Sequence, residues 1–308
     1  MSLRAQRLWG ALLLVVLSAA PTTMVEAATP SANPSSKTLT ASTRHGTRRG
    51  VRHRRARRPP PGGVYARNAI VIDPATDEVL YEKNSASAVP LASLTKLMTD
   101  MVFLEQDPDL GRTVEVTRAE LSGGGKTQLR NHEMVPLHDL LHMSLMCSDN
   151  VATRVLVRES GLSPDDFLAA MNRKASDLGL VNTRFVEFTG LDERNVSSAA
   201  DCAKLLKTAA ANGMIQDITT TRAYEFRTAR RAHHIVNTNR LLYGRYEIRS
   251  GKTGFINEAG YCLATWIRTQ GRDMIAVVMG APTNATRFAD VMRLVQRTTS
   301  PAVVQTHP

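Results

Sequence analysis

The chain of 308 residues has only three cysteines, Cys147, Cys202 and Cys262, and no Cys-x-x-Cys motif. An odd number cannot all pair within one chain, and Cys147 and Cys262 lie in apolar sequence. We therefore expect small buried hydrophobic side chains rather than a disulfide framework or a thiolate metal site.

A His-Glu-x-x-His motif is also missing. His138 and His142 have the i, i+4 spacing of two metal ligands on a predicted helix, but the sequence offers no obvious third ligand. We expect a helix-surface pair and no bound metal. The sequence SGGGKTQ lacks the first glycine of a nucleotide-binding loop, because that position is Glu120, and no strand leads into it. It is interpreted as a flexible glycine-rich loop.

Acidic residues are missing from residues 28–63, which hold eight arginines and one lysine. Most of the formal net charge of +11 therefore comes from this tail, and the chain from residue 64 onward is close to neutral. A segment with so few apolar residues is expected to be disordered. Two interpretations stay open: a plain solvated linker, or electrostatic association with polyanions such as membrane lipids or acidic wall polymers.

The apolar run LWGALLLVVLSAA follows Arg4 and Arg7 near the start of the chain. It is too short to span a bilayer comfortably, and the small-residue site Val25-Glu26-Ala27 follows it. This pattern is typical of a secretory signal peptide over residues 1–27, cleaved after Ala27. The mature protein is expected outside the cytoplasm, so a nucleic-acid partner is not expected.

Residues 64–308 have the pattern of one α/β (α+β) domain. Two apolar runs around DPATDE predict a β-hairpin from Ala66, and Pro90 introduces a helix that carries Ser93. Residues 112–136 are expected to be irregular or short-stranded. Helices are predicted over residues 136–160 with a break at Ser148-Asp149-Asn150, and over 164–178, 198–212 and 284–298; strands are predicted in RYEIRSGKTGF, AGYCLATWIRTQG and RDMIAVVMGAP. This order predicts an antiparallel sheet built from both chain ends, with a helical block inserted.

Three short motifs carry groups that suit acyl transfer. Ser93 precedes Lys96 by three residues among apolar neighbours, and Ser148-Asp149-Asn150 interrupts an apolar helical stretch where polar side chains are unfavourable unless a cleft needs them. Lys252-Thr253-Gly254 opens a late strand, where glycine weakens pairing unless something approaches the backbone closely. Each motif alone is weak, but their order and separations together are specific.

Ser93 has no histidine and aspartate at the usual triad spacings, whereas Lys96 lies one turn along the same helix face. A lysine with a pKa of about 10.4 is neutral only ~0.04% of the time at pH 7. A base requires a pKa of about 7, which burial and a neighbouring cation such as Lys252 are expected to produce.

The three motifs in this order resemble the signature of penicillin-recognising serine enzymes. The blocks PLASLTKLMT, HMSLMCSDNVAT, RFVEFTGLDERNVSSAADCAKLL and IRSGKTGFINEAGYCLA resemble the low-molecular-mass penicillin-binding proteins, serine D-alanyl-D-alanine peptidases, over about residues 64–298. The resemblance implies a β-lactamase/penicillin-binding transpeptidase-like fold and a periplasmic hydrolase without a cofactor. It also implies peptidoglycan stem peptides as substrates and β-lactam antibiotics as covalent inhibitors.

The same resemblance implies a role for each motif residue. Ser93 would be the nucleophile, Lys96 its base, and Ser148 the group that relays the proton to the leaving amine. The substrate would be bound by Asn150 at an amide and Thr253 at a carboxylate, beside the strand at Gly254, with Lys252 supporting Ser148 and the backbone N–H groups of Ser93 and Phe255 facing the oxyanion.

Two departures from the wider family separate the candidate activities. The chain ends about fifty residues after Lys252, without the second β-rich domain and C-terminal anchor of many carboxypeptidases, which makes it more similar to the endopeptidase branch. It has EFTGLDERN where class A β-lactamases have Glu-x-x-Leu-Asn, so rapid lactam hydrolysis is not expected. Endopeptidase cleavage of D-alanyl cross-links through acyl-Ser93 is favoured. The alternatives are D,D-carboxypeptidase trimming of terminal D-Ala, a β-lactamase, and a catalytically weak wall-binding protein.

Overall fold

The computed structural model describes residues 63–299. The predicted signal peptide, and the predicted linker up to residue 62, lie outside the described residues. Within the described part no helix is both long and apolar enough to cross a membrane.

Strands lie near both ends of the described chain, and most of the helices lie between them. The strands are β1 (Asn68–Ile72), β2 (Val79–Lys83), β3 (Val89–Pro90), β4 (Thr113–Val116), β5 (Glu133–Pro136), β6 (Val196–Ser197), β7 (Ala223–Arg227), β8 (Ala232–Val236), β9 (Glu247–Ile256), β10 (Gly260–Thr269) and β11 (Arg272–Ala281). The helices are α1 (Thr95–Leu104), α2 (Arg118–Leu121), α3 (Leu137–Met146), α4 (Asn150–Arg158), α5 (Pro164–Asp177), α6 (Ala199–Ala210), α7 (Gly213–Thr220) and α8 (Asn284–Thr299).

The main sheet has five antiparallel strands in the order β2-β1-β11-β10-β9. Both ends of the described chain therefore contribute to one sheet, as predicted. All five residues of β1, NAIVI, are buried, as expected for a strand covered on both faces. Ile70 and Ile72 pack into a core with the helical block, while Ala69 and Val71 pack into a second core with α8. The sheet thus lies between α8 and the helical block.

Helix α1 runs through the larger core and is buried from Thr95 to Phe103. Such a helix usually carries apolar residues on every side, yet α1 also buries Lys96, Thr99 and Asp100. These polar groups must find partners inside the protein, because leaving a buried polar group unpaired is unfavourable.

The helices predicted around the broken segment are confirmed as α3 and α4, and the other three predicted helices as α5, α6 and α8. Residues 112–136 contain short strands, as predicted, and also α2, which begins with a capping box between Thr117 and Glu120. Helix α7 and the hairpin β7–β8 were not predicted. Asn212 caps α7, but the β-branched run at its end hides the helical pattern.

Candidate active site

Ser93 lies on a 3₁₀ turn, Ala92–Leu94, that leads directly into α1. Helix α1 begins at Thr95, so Ser93 lies two residues before the helix on which it was predicted. Pro90 belongs to β3 and does not open the helix. Ala92 has a φ of 50°, in the left-handed region that residues other than glycine seldom adopt. Ala92 and Leu94 are buried while Ser93 is partly exposed, so the turn presents the serine and buries its neighbours.

The Lys96 side chain is fully buried, and its amine has three oxygen neighbours. Nζ lies 2.7 Å from Asn150 Oδ1, 2.7 Å from the Thr189 carbonyl oxygen and 3.2 Å from Ser93 Oγ. The two shorter contacts go to oxygens that can only accept, whereas the Ser93 hydroxyl can also donate. An ammonium can donate to all three oxygens, and a neutral amine can keep two N–H bonds to the acceptors with its lone pair toward Ser93.

Burial lowers the pKa of Lys96 to about 8, although the carboxylates of Glu187, Asp100 and Asp149 act in the opposite direction. With that pKa, roughly a tenth of the lysine is neutral at pH 7. The shift has the predicted direction and main cause, and it is smaller than the predicted change to about 7.

Lys252 is buried in β9, and its Nζ donates to the Thr253 carbonyl oxygen at 3.1 Å. Burial lowers the pKa of Lys252 well below its ordinary value, and the charge of Lys96 lowers it further. The predicted effect of Lys252 on the pKa of Lys96 stays a prediction.

Ser148 and Asn150 flank Asp149, which caps α4 by accepting from the backbone N–H groups of two residues in its first turn. Ser148 has a φ of 62°, and its buried Oγ has no hydrogen-bond partner among residues 63–299. Asn150 accepts from Lys96 and donates through Nδ2 to the Gly124 carbonyl oxygen at 3.0 Å. Asn150 thus positions the lysine in this structure.

Gly254 is needed by the turn that carries the serine. A Cβ at Gly254 would lie 3.0 Å from Ser93 N and 3.1 Å from the Leu91 carbonyl oxygen. The predicted close approach to this glycine is present, but the neighbour is the protein's own backbone. Strand β9 is also an edge of the five-stranded sheet, which leaves the sheet open to an added strand there.

The side chains on either side of Gly254 differ in environment. Thr253 is buried, and its Oγ1 lies 2.7 Å from Oγ1 of Thr238. Phe255 is 45% exposed and stacks on Tyr261, with a ring-centroid distance of 4.3 Å. Arg287, which sequence reasoning missed, is buried beside them and donates to the Gly254 carbonyl oxygen at 3.1 Å.

Sequence reasoning also missed the loop that holds Thr189 against Lys96. The Glu187 carboxylate accepts from the Thr189 N–H and Oγ1, both at 2.7 Å, and from Asn195 Nδ2 at 2.9 Å. Asn195 is fully buried and also donates to Thr95 Oγ1 at 3.2 Å. The only sequence signals were a Thr-Gly pair and an asparagine with no evident role.

Asn195→Ala is expected to lower the free energy of unfolding by about 2 to 3 kcal/mol, because several buried partners lose a hydrogen bond. Lys96 should also lose its fixed contact with Thr189, so penicillin should acylate the variant about tenfold more slowly. Thermal unfolding and stopped-flow acylation measure the two effects. Asn212→Ala, which removes only the cap of α7, should lose about 1 kcal/mol and keep its reactivity. Equal acylation of both variants would contradict this role for Asn195.

The glycine-rich loop is held by hydrogen bonds from two side chains of α4. Arg154 NH1 donates to the carbonyl oxygens of Glu120 at 3.1 Å and Ser122 at 2.6 Å, and Asn150 holds Gly124. The loop is thus hydrogen-bonded beside Asn150 in this structure, and its flexibility stays a prediction.

The two histidines do not form a surface pair. His142 is buried and stacks on Tyr224 of β7, with a ring-centroid distance of 3.9 Å, while the His138 side chain is 44% exposed. The hairpin that sequence reasoning missed covers His142, which explains the error. Residues 63–299 contain no cluster of three or more histidine, cysteine or acidic side chains able to hold a metal.

The three cysteines are unpaired in the structure. Cys202 and Cys262 are buried, as predicted, whereas Cys147 is partly exposed. Burial raises the pKa of the Cys147 thiol to about 12, with Asp149 acting in the same direction. Cys147 therefore stays a protonated thiol at neutral pH, despite its place beside Ser148.

Comparison with known proteins identifies the family. Residues 54–283 match the D-alanyl-D-alanine carboxypeptidase family, peptidase family S11. The chain is 36% identical to the D-alanyl-D-alanine endopeptidase of Pseudomonas aeruginosa and 35% identical to that of Escherichia coli, each over 74% of this chain and 75% of the relative. The crystal structure of the Streptomyces K15 DD-transpeptidase is similar with a TM-score of 0.73 and 25% identity, over 78% of this chain and 99% of that one. The chain therefore belongs to the D-alanyl-D-alanine carboxypeptidase family, peptidase family S11.

Proposed function

We propose that this protein is a serine D,D-peptidase that hydrolyses D-alanyl bonds of peptidoglycan stem peptides through an acyl-Ser93 intermediate. The observation that carries the proposal is the buried Lys96 amine, whose two short contacts go to pure acceptors and whose third neighbour is the Ser93 hydroxyl. When Lys96 is neutral, this geometry turns the lone pair of its amine toward the serine proton.

In the proposed reaction Lys96 accepts the hydroxyl proton while Ser93 Oγ bonds to the carbonyl carbon of a D-alanyl residue. The resulting oxyanion lies between the backbone N–H groups of Ser93 and Phe255, and donors of this kind are worth about 3 kcal/mol each. The carbon–nitrogen bond then breaks, the amine leaves with a proton, and water releases the acyl group from Ser93.

Ser148 is proposed to deliver the proton to the leaving amine. Its buried Oγ has no partner among the described residues, and such a group is normally hydrogen-bonded. A substrate nitrogen would supply that partner. Thr253 and Asn150 are proposed to contact the substrate carboxylate and amide through the hydrogen-bonding capacity that their present partners leave free. Lys252 is proposed to support Ser148 electrostatically.

Endopeptidase cleavage of D-alanyl cross-links is the favoured activity, supported by the two relatives named D-alanyl-D-alanine endopeptidase. The test is digestion of purified cross-linked dimers and of uncross-linked pentapeptides, with Ser93→Ala as the control. Conversion of dimers to monomers by the wild type only is the expected result. Loss of terminal D-Ala alone would identify a carboxypeptidase, and no difference between wild type and Ser93→Ala on either substrate would overturn the proposal in favour of a wall-binding protein.

The proposal places the catalytic domain in the periplasm, with β-lactams as covalent inhibitors of Ser93. Support for export comes from the apolar run and Val25-Glu26-Ala27. The basic residues 28–63 are proposed to contact anionic lipids or wall polymers. The exported protein should begin at Ala28, and deletion of the basic segment should abolish its sedimentation with anionic vesicles. A different N terminus, or equal sedimentation, would contradict these points.

A further inference from the structure

Asp100 is a buried acid that the proposed mechanism does not use. It lies on α1 one turn beyond Lys96 and is fully buried. Both of its carboxyl oxygens are within hydrogen-bond distance of Ser144 Oγ on α3, at 3.1 and 2.8 Å. The ionised form of a buried acid is unfavourable unless other groups stabilise it. The neighbours of Asp100 therefore determine its protonation state.

Asp100 is the first member of a row of polar groups that ends beside Ser148. Ser144 Oγ lies 2.9 Å from Oγ1 of Thr153 on α4, and Thr153 Oγ1 lies 2.8 Å from the Asp149 carbonyl oxygen. Ser144 and Thr153 are both fully buried. The row therefore contains three contacts: acid to serine, serine to threonine, and threonine to carbonyl.

Counting protons decides which form of the acid fits these contacts. Ser144 and Thr153 each supply one hydroxyl proton, and a carbonyl supplies none. With an ionised Asp100, two protons serve three contacts, so two oxygens face each other without a hydrogen. With a protonated Asp100 each of the three residue pairs has a hydrogen: the acid donates to Ser144, Ser144 donates to Thr153, and Thr153 donates to the Asp149 carbonyl oxygen.

We propose that Asp100 is a positioning residue whose protonated form completes this hydrogen-bonded chain and so holds the turn that carries Ser148 and Asn150. The link to the reaction is short, because Asn150 follows Asp149 and accepts from Lys96 at 2.7 Å. The functional part of this proposal rests on the proposed function, whereas the proton count rests on geometry alone.

The electrostatics of the site agree with a neutral acid. Burial raises the pKa of Asp100 to about 7, while the hydrogen bond from Ser144 and the charges of Lys96, on the same helix, and Lys252, on β9, lower it. The carboxylates that act on Lys96 are those of Glu187, Asp100 and Asp149. As pH rises through about 7, Asp100 ionises and its charge makes Lys96 hold its proton more tightly.

Asp100→Asn tests the proposal, because an amide N–H still donates to Ser144 but cannot titrate. The second-order rate of acylation by a penicillin is followed from pH 5.5 to 9.5. The midpoint of the rising limb should move to lower pH by roughly half a unit to one unit, since Lys96 loses a nearby negative charge. Thr153→Val breaks the chain without changing a charge, and should slow acylation about tenfold at every pH without moving the midpoint.

The protonation of Asp100 is tested without an activity assay, by thermal unfolding from pH 4 to 8. In the wild type the folded state keeps a proton on Asp100 up to about pH 7 that the unfolded chain loses near pH 4, so stability should fall across this window. Asp100→Asn should lack that part of the fall. The proposal would be overturned if the stability of the wild type and of Asp100→Asn changed equally across this window. It would also be overturned if penicillin acylated Asp100→Asn with the same midpoint as the wild type. A wild type that penicillin does not acylate would instead overturn the proposed function.

Discussion

Lys96→Met is expected to slow the acylation of Ser93 by a penicillin by about 10²- to 10⁴-fold, the usual contribution of a general base. In the wild type the rate should rise with pH and level off above about 8, the pKa to which burial lowers Lys96. The methionine variant keeps most of the apolar stem but has no group to take the serine proton, so its rate should show no such rise. Stopped-flow measurements with a fluorescent penicillin from pH 6 to 10 give both results.

Lys96→Arg tests whether Lys96 acts as a base or only as a positive charge. Arginine keeps a positive charge near Ser93 but is not deprotonated in proteins, so it should be as slow as methionine. Lys207→Met, at a surface lysine paired with Asp77, is the matched control and should react like the wild type. Acylation of Lys96→Met at close to the wild-type rate, with normal folding by circular dichroism, would exclude Lys96 as the base.

Gly190→Ala is expected to lower the free energy of unfolding by about 3 kcal/mol or more and to abolish acylation. Gly190 has a φ of 84°, and a Cβ there would lie 2.0 Å from the carbonyl oxygen of Ala92 and 2.8 Å from Ser93 N. Both atoms belong to backbone, so the turn that presents the serine would have to move. Thermal unfolding and the mass of the penicillin-treated protein measure the two effects.

Gly179→Ala is the control for the clash. Gly179 also has a positive φ, 64°, but a Cβ there would meet no atom within 4 Å. It should therefore lose only about 1 kcal/mol, the usual penalty for a left-handed conformation, and keep its reactivity. If Gly190→Ala matched Gly179→Ala in both stability and reactivity, the loop after Glu187 would not support the serine turn in the way proposed.

The elements that follow from local pattern were predicted well. Alternation and turn residues located the strands from Asn68 to Lys83 and from Glu247 to Ala281, and helical spacing located α3 to α6. The motif residues were also identified as a group, because each breaks a local rule: Ser148 and Asn150 interrupt a helix, and Gly254 sits within a strand. Local conflicts of this kind are where functional sites are expected.

The contacts that tune the site could not be predicted, because they join residues far apart in the chain. The Thr189 carbonyl that holds Lys96 is 93 residues away from it, and Ser144 is 44 residues from Asp100. Composition also cannot show that Lys252 is buried, since its burial depends on how the strands and helices pack. The hairpin β7–β8 was missed because its turn, residues 228–231, contains no glycine, proline, asparagine or aspartate to mark it.

The central claim is that Ser93 is a nucleophile activated by Lys96. The measurement that tests it most directly is a time course of intact mass after mixing the mature protein with a penicillin, beside Ser93→Ala, with the modified peptide located by fragmentation. The account predicts one lasting adduct on the peptide that contains Ser93 in the wild type, and none in the variant. An equal adduct on Ser93→Ala, or no adduct on the wild type, would contradict it.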